Sequence, residues 1–344
     1  MPFARTRLRI RRRVVLALGL GVVGAVLIGE LLLSRMEAFR PWPRYAPGER
    51  TFERSFSTFL QPDARVGWSM EPDIVHRHRT DEFDVEYRAN AQGFRADRPY
   101  EPAAPGADDA RVLLVGDSYT FGIGVEREDS FAGRLQADLG VPVDNLAMPG
   151  FAVDQMWIQV QYGLEHYAPS LVVVAVCDAD LARSQTAFSL SNGMEKPTFR
   201  RAEDGLVPMT FDDRLNPVHR FFEERSRLWM GVRQINRLVG YRVPYGEWWH
   251  LNAAILETLD RACADAGVPW LLVYVPTPER RSFPTLRSWA ERTGVPFVDL
   301  TEVLSGDGLF FPRDRHFTPA GHAASAEHMR SSIEPLLSAA LAQR

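Results

Sequence analysis

The chain has 344 residues, of which 45% are hydrophobic and 11% aromatic, so it is long enough to bury a substantial core. Residues 1–13 carry six arginines and no acidic residue, which leaves the remainder with a net charge of −10 against −4 for the whole chain. An acidic body of this kind argues against nucleic acid as a partner, because phosphate backbones would repel it.

The N-terminal segment has the pattern of a membrane anchor. Residues 14–33, "VVLALGLGVVGAVLIGELLL", contain one charged residue, Glu30, and match the length of a helix that crosses roughly 30 Å of hydrocarbon. The arginines before this run put the N-terminus in the cytoplasm and the body outside. A cleaved signal peptide would also export the body, but no small-x-small cleavage site follows. We therefore predict a basic cytoplasmic tail over residues 1–13, a single-pass anchor in the cell membrane over 14–34 and an extracytoplasmic body.

Two less regular segments follow the predicted anchor. Residues 35–64 are rich in proline and charge, which is typical of a stalk. Residues 65–110 combine short alternating runs with turn signals and predict a small extension packed beside the main domain. Within it, His76 and His78 share a strand face, but two histidines without a third ligand are typical of a solvated strand. We predict no metal and no cofactor.

From residue 111 to residue 344, predicted strands and helices alternate. Strands are expected over 111–115, 141–148, 170–177, 269–275 and 295–300, and helices over 130–140, 153–167, 247–267, 284–294 and from about Pro319. Such alternation predicts a three-layer α/β/α sandwich around a mainly parallel, doubly wound sheet. Residues 184–247 interrupt the pattern as an insertion with helical pieces, which we expect to cover the ligand cleft. Cys177 and Cys263 lie in apolar stretches and are expected to be free, buried thiols.

Three short motifs carry candidate functional residues. Ser118, Gly150 and the "CDAD" segment are expected at the carboxyl ends of strands, where ligands bind in such sheets. Ser118 follows the first strand in "VGDSYTFGIGV"; a serine there can present its hydroxyl to a ligand, although serine alone is also a common turn residue. Asp314 and His316 precede a helix start and supply the base, and the acid to orient it, that a serine nucleophile needs. Gly150, before another helix, can aim its backbone N–H at an oxyanion.

Together these motifs resemble the SGNH, or GDSL-like, hydrolase superfamily. The matching blocks are "VGDSYTFGIGV", "NLAMPG", "LVVVAVCDADLARS" and "PRDRHFTPAGH", and "RANAQGFRAD" upstream is similar to the membrane-anchored bacterial branch. The likeness covers roughly residues 86–183 and 248–342. It implies a flavodoxin-like sandwich in which Ser118 is the nucleophile, His316 the general base and Asp314 the residue that orients it. The backbone N–H groups of Ser118 and Gly150 would form the oxyanion hole.

The chain departs from the pattern of that superfamily at two points. The third block usually carries Asn-Asp, whose asparagine donates to the oxyanion, whereas this chain has Ala179-Asp180 with Asp178 before the pair. The acid usually stands three residues before the histidine, a position that Arg313 occupies here. Asp117, although part of the first block, is expected to brace the loop rather than to join the triad.

The sequence therefore predicts an extracytoplasmic serine esterase that removes acetyl or other short acyl groups from envelope glycans or small esters. An O-acyltransferase that uses the same serine is one alternative, because water and a sugar hydroxyl could both accept the acyl group. A non-catalytic module that binds acylated glycan or an envelope partner is the other, and Ala179 is its best support. The pattern leaves the oligomeric state open.

Overall fold

The computed structural model describes residues 3–35, 59–102, 110–186, 189, 194, 196–202, 205–209, 226–229, 246–277 and 284–343, with the backbone alone for 3–16 and 246–248. The chain divides into two units. One contains residues 1–44 and 215–244, and the other contains residues 45–214 and 245–344.

The first unit contains helix α1, Phe3–Leu33. Near its end the Glu30 carboxylate accepts hydrogen bonds from the Ser226 hydroxyl and from the backbone N–H of Arg227, the latter at 2.8 Å. None of the helices in the described residues combines the length and the hydropathy needed to cross a membrane, so the anchor over 14–34 is not supported by the structure and stays a prediction. The helical pieces expected over 216–239 lie outside the described residues, apart from 226–229.

The second unit begins with an extension of two strand pairs. Strands β1, Leu60–Asp63, and β2, Gly67–Met70, pair antiparallel, as do β3, Val75–Arg79, and β4, Asp84–Arg88. The predicted stalk is wrong at its C-terminal end, because Phe59 is 1% exposed and β1 is part of the folded extension. Phe59 stacks on Phe121 of the main domain, a contact that a composition rich in proline and charge does not reveal. The rest of the predicted stalk, 36–58, lies outside the described residues.

The interpretation of both strand histidines as solvated is wrong for His78. This residue is buried, its Nδ1 lies 3.1 Å from the hydroxyl of Tyr87, and its ring packs edge-on against Phe83. His76 is half-buried and its ring lies 5.1 Å from that of Phe59. Burial lowers the pKa of both imidazoles, so both favour the neutral form.

The main domain is built on a five-stranded sheet. The strands of this sheet are β5, Val112–Val115; β6, Val143–Asn145; β7, Leu171–Val176; β10, Trp270–Tyr274; and β11, Phe297–Asp299. Strands β8, Thr198–Ala202, and β9, Gly205–Met209, form a separate antiparallel hairpin. The sheet order is β11-β10-β7-β5-β6 and all neighbours in it are parallel. Strand β7, "LVVVAV", is a β-branched run buried on both faces, as a central parallel strand requires.

Helices cover both faces of this sheet. They are α2, Ser118–Phe121; α3, Phe131–Leu139; α4, Val153–Tyr167; α5, Asp178–Arg183; α6, Gly246–Asp265; α7, Pro284–Thr293; and α8, Pro319–Ala342. One apolar core joins α4, α6 and α7 to the face that carries Leu113 and Val172, and a second joins α3 and α8 to the face that carries Leu114 and Val173. The predicted α/β/α sandwich with a parallel sheet is confirmed. Cys177 and Cys263 are free and buried, as expected.

The strand order places a crevice at the carboxyl end of the sheet. After β5 the chain adds β6 on one side and then crosses to add β7 on the other, so connections from β5 and β7 leave in opposite directions. Ligands in doubly wound sheets bind at such a switch point. Ser118, directly after β5, and Ala179, directly after β7, both lie there.

Candidate active site

Ser118 opens a one-turn helix that follows the buried strand β5 after a two-residue turn, Gly116-Asp117. The Asp117 carboxylate caps this helix by accepting a 3.0 Å hydrogen bond from the backbone N–H of Tyr119. A Cβ at Gly116 would collide with the side chain of Thr120 and lie 3.0 Å from the carbonyl oxygen of Ala175. Only glycine therefore permits so sharp a turn, and the turn holds Ser118 at the sheet edge.

The structure brings together the three residues of the predicted triad. The Oγ of Ser118 lies 2.7 Å from Nε2 of His316, and Nδ1 of His316 lies 2.5 Å from Oδ1 of Asp314. If Nδ1–H donates to the carboxylate, Nε2 is left to accept the serine hydroxyl proton. Burial acts to raise the pKa of Asp314, but the hydrogen bond and charge of His316 outweigh it and the pKa is lowered. The carboxylate is therefore ionised at neutral pH.

The shortened Asp-x-His spacing works because of the turn between its two residues. Arg315 adopts a left-handed conformation with a φ of 75°, which folds the Asp314 carboxylate back toward His316. Two residues outside the motif brace this turn. Glu82 accepts hydrogen bonds from the backbone N–H groups of Arg313 and Asp314, at 2.9 and 2.7 Å, and Tyr119 donates one to the carbonyl of Arg315, at 3.1 Å.

Ser118 opens into a pocket of about 230 Å³. The lining residues are Leu60, Asp117, Ser118, Tyr119, Pro149, Gly150, Cys177, Ala179, Arg183, Thr277 and His316. Gly150 has a φ of 80°, a conformation that side chains rarely adopt, and it borders the same pocket as Ser118. None of the described residues of the insertion over 184–247 lines this pocket, so they do not support its expected role as a cleft cover.

The three residues of the third block face different environments. Ala179 lines the pocket and offers a methyl group where the family pattern has an amide. Asp178 is buried outside the pocket lining beside Tyr274, whose pKa is raised by burial and then by that carboxylate. Asp180, fully buried, accepts a 2.8 Å hydrogen bond from the backbone N–H of Cys177 and a 2.5 Å bond from Arg183. Among these three residues, Ala179 is the one that lines the pocket.

Asp117, Cys177 and Asp180 form a cluster whose potential ligand atoms lie within 4.8 Å of one another. The guanidinium of Arg183 already contacts both carboxylates, at 3.4 Å from Asp117 and 2.5 Å from Asp180. Burial raises the pKa of the Cys177 thiol well above its usual range, whereas a metal needs its ligands deprotonated. The donor set favours an internal ion pair over a metal site.

The two histidines of α8 have different surroundings. His322 is fully buried, accepts the backbone N–H of Phe131 at Nδ1 and packs against Phe317, so it is a packing residue. His328 is exposed. Burial lowers the pKa of His322 far below its usual value, which keeps its ring neutral.

A model of the GDSL-like lipase/acylhydrolase family matches residues 114–324. The chain belongs to this family. No curated protein matches it in sequence.

Several solved structures resemble this GDSL-like chain in fold. A lipolytic protein of the G-D-S-L family from Desulfitobacterium hafniense is 13% identical, with a TM-score of 0.41, over 65% of this chain and 99% of the other. The psychrotrophic esterase EstA from a Pseudoalteromonas species is 14% identical, with a TM-score of 0.42, over 67% and 100%. An acetyl xylan esterase, AlAXEase, is 14% identical, with a TM-score of 0.38, over 65% and 99%.

Reasoning from sequence missed three residues of this GDSL-like site. Arg183 stands four residues after Ala179, and in the observed helix α5 that spacing places both residues on one face. Tyr119 is adjacent to the nucleophile motif, and its bond to Arg315 spans 196 positions in the chain. Glu82 lies 232 positions from Asp314 and carries no local signal.

Proposed function

We propose that this GDSL-like protein is a serine esterase in which Ser118 is the nucleophile, His316 the general base and Asp314 the group that orients it. One observation carries the proposal: a continuous chain of hydrogen bonds joins the serine hydroxyl through the imidazole to the half-buried carboxylate of Asp314, with links of 2.7 and 2.5 Å. Such an arrangement activates a serine whose hydroxyl is otherwise a weak nucleophile.

In the proposed reaction, Oγ of Ser118 bonds to the ester carbonyl carbon while its proton passes to Nε2 of His316. The carbonyl π electrons move onto oxygen, and the backbone N–H groups of Ser118 and Gly150 stabilise this oxyanion. When the oxyanion collapses, the bond to the alcohol breaks and the alcohol takes the proton from His316. Water then attacks the acyl-serine by the same sequence, with His316 as base, and releases the acid and free Ser118.

The dimensions of the pocket support a short acyl group. A space of about 230 Å³ bordered by Leu60, Pro149 and Ala179 suits an acetyl or similar group and leaves the alcohol portion of the ester outside. We propose O-acylated envelope glycans or small esters as the substrate class.

For location we propose an extracytoplasmic catalytic domain at the cell membrane. The support is the sequence pattern of six arginines followed by the apolar run over 14–33. Protease added to intact spheroplasts that express the full chain is expected to degrade the catalytic domain. Protection of that domain until the spheroplasts are lysed would contradict this location.

The first experiment tests for an activated serine. The full chain is incubated with a fluorophosphonate, and intact masses are compared among wild type, Ser118→Ala and His316→Ala. We expect one phosphonyl adduct on the wild type and none on either variant. Hydrolysis of p-nitrophenyl acetate, with the same two variants as controls, measures turnover.

The outcomes separate the possible functions. An unlabelled, well-folded wild type would refute the esterase and leave a module that binds acylated glycan or an envelope partner. A labelled wild type that releases acetate supports hydrolysis. A labelled wild type that delivers acetyl to an added oligosaccharide, with little free acetate, would instead establish acyl transfer.

A further inference from the structure

The residue that could replace the missing amide donor lies on the same helix as Ala179. Helix α5 covers Asp178–Arg183, and positions four apart on a helix share a face. Helical side chains lean toward the N-terminus, so the long side chain of Arg183 extends back over the turn that contains Ala179. Both residues line the pocket beside Ser118. The small side chain of Ala179 leaves room there for a guanidinium.

The guanidinium of Arg183 is held by contacts to three segments of the site. Its Nη1 lies 2.5 Å from the buried Asp180 carboxylate, 3.2 Å from the carbonyl oxygen of Phe151 and 3.4 Å from the Asp117 carboxylate. Phe151 follows Gly150, and Asp117 precedes Ser118. The nucleophile turn, the glycine loop and α5 are thus joined by one side chain. A group fixed in this way loses little entropy or reorganisation energy when the reaction occurs.

The same contacts set an upper limit on the distance from the Arg183 guanidinium to the reacting atoms. Asp117 Oδ2 lies 3.5 Å from Oγ of Ser118 and 3.4 Å from Nη1 of Arg183, so Nη1 is no more than about 7 Å from the nucleophilic oxygen. Nη1 is one of three nitrogens of the guanidinium, and the Arg183 side chain is 36% exposed. An oxyanion on the carbon bonded to Oγ lies within reach of such a group.

The charges around the pocket make this cation important. Among the described residues that line the pocket, Arg183 is the one with a permanent positive charge. The Asp117 carboxylate would repel negative charge that develops beside Ser118. Arg183 contacts that carboxylate and faces the space where the charge develops, so it can offset the repulsion and add attraction.

We propose that Arg183 is a catalytic residue of the esterase site, where its guanidinium stabilises the oxyanion in place of the amide that Ala179 lacks. This inference rests on the esterase proposed above. It assigns Arg183 to the transition state rather than to substrate binding, and it predicts an effect on kcat at nearly constant KM.

The test uses p-nitrophenyl acetate, a neutral ester that offers no anionic group for Arg183 to bind in the ground state. Arg183→Gln is expected to lower kcat by about 10²- to 10³-fold, the usual loss for one oxyanion donor, with KM nearly unchanged. Arg183→Lys keeps the charge but not the planar fork, and a smaller loss of about 10-fold is expected. Ala179→Asn combined with Arg183→Gln restores an amide at the family position and is expected to recover about 10-fold of the loss.

Removal of Arg183 leaves two buried carboxylates without their cation, so Arg183→Gln could fail to fold. The double variant Asp180→Asn, Arg183→Gln removes one of those charges, and thermal melting of each variant identifies those that are folded. Where Arg183→Gln and the double variant are both folded, each should show the same loss of kcat relative to wild type.

Unchanged kcat in a folded Arg183→Gln variant, or a rise in KM alone, would overturn the catalytic role. The same holds if Ala179→Asn fails to restore any activity to that variant. These results differ from failure of the esterase itself, since in that case wild type would not be labelled at Ser118 by the fluorophosphonate. Labelling of wild type and of folded Arg183→Gln at equal rates would overturn the role of Arg183 and leave the esterase intact.

Discussion

Replacing Glu82 by alanine is expected to lower kcat/KM although the residue lies outside the triad. Both of its carboxylate oxygens accept backbone N–H groups of the acid loop, at 2.9 Å from Arg313 and 2.7 Å from Asp314. Hydrogen bonds to a charged group contribute about 1.5–3 kcal/mol each when buried. Glu82 is only half-buried, so we expect Glu82→Ala to cost roughly 1–2 kcal/mol of unfolding free energy.

The loss of kcat/KM in Glu82→Ala should be larger than the loss of stability alone would cause. Without Glu82, the Asp314–His316 turn loses the hydrogen bonds from that carboxylate and keeps the one from Tyr119, and a misplaced catalytic group can cost up to about 10²-fold in rate. We expect Glu82→Ala to lower kcat/KM on p-nitrophenyl acetate by about 10- to 100-fold. Glu82→Gln keeps one acceptor oxygen, so its kcat/KM should lie between those of wild type and Glu82→Ala.

Glu86→Ala is the matched control for this prediction. Glu86 is on the same hairpin, but its carboxylate pairs with Arg88. Kinetics at 25 °C and urea unfolding are measured on all variants. The reasoning is refuted if Glu82→Ala retains wild-type kcat/KM, or if Glu86→Ala loses as much.

Three further changes have defined expectations. Asp314→Asn should lower kcat by about 10⁴-fold, because an amide does not hold His316 in the tautomer that accepts the serine proton; a loss below 10-fold in steady-state kinetics would argue against Asp314 as the orienting acid. Gly116→Ala places a Cβ 3.0 Å from the carbonyl oxygen of Ala175 and against the side chain of Thr120, so urea unfolding should show a loss of about 1–3 kcal/mol, and an unchanged midpoint would contradict it. Burial raises the pKa of Asp144 to about 6 in the folded chain, despite its pairing with Arg111, against 3.8 for an ordinary aspartate. A raised carboxyl pKa means that stability falls as pH rises from about 4 to about 6, so wild type should lose up to about 3 kcal/mol relative to Asp144→Asn over that interval. Parallel unfolding curves at pH 4.5 and 7.0 that give no such difference would rule out this linkage.

Much of the sandwich was predictable because its signals are local. The β-branched run of β7, the threonine cap and proline at the start of α8, and the glycine after β5 each act on neighbouring backbone. Ser118 and the pair Asp314 and His316 could be proposed for the same reason, since each motif is a few residues long. The three-layer arrangement then follows from burying the apolar faces of strands and helices.

Contacts between distant segments decided the rest. Whether Asp178 or Arg183 faces the pocket depends on how α5 packs after β7, and composition carries no signal for that. His78 is buried because Tyr87 and Phe83 close around it, although the same strand pattern suits a solvated hairpin.

The sequence by itself determined the α/β class, the position of the nucleophile turn and the identity of a serine, a histidine and an aspartate suited to one chemistry. Only the tertiary structure decided that Arg315 turns Asp314 back onto His316, that Glu82 braces that turn from a different strand pair, and that Arg183 lines the same pocket as Ala179. The physical reason is range: backbone propensity and periodicity act over a few residues, whereas the direction of a charged side chain is set by partners that packing brings from far along the chain.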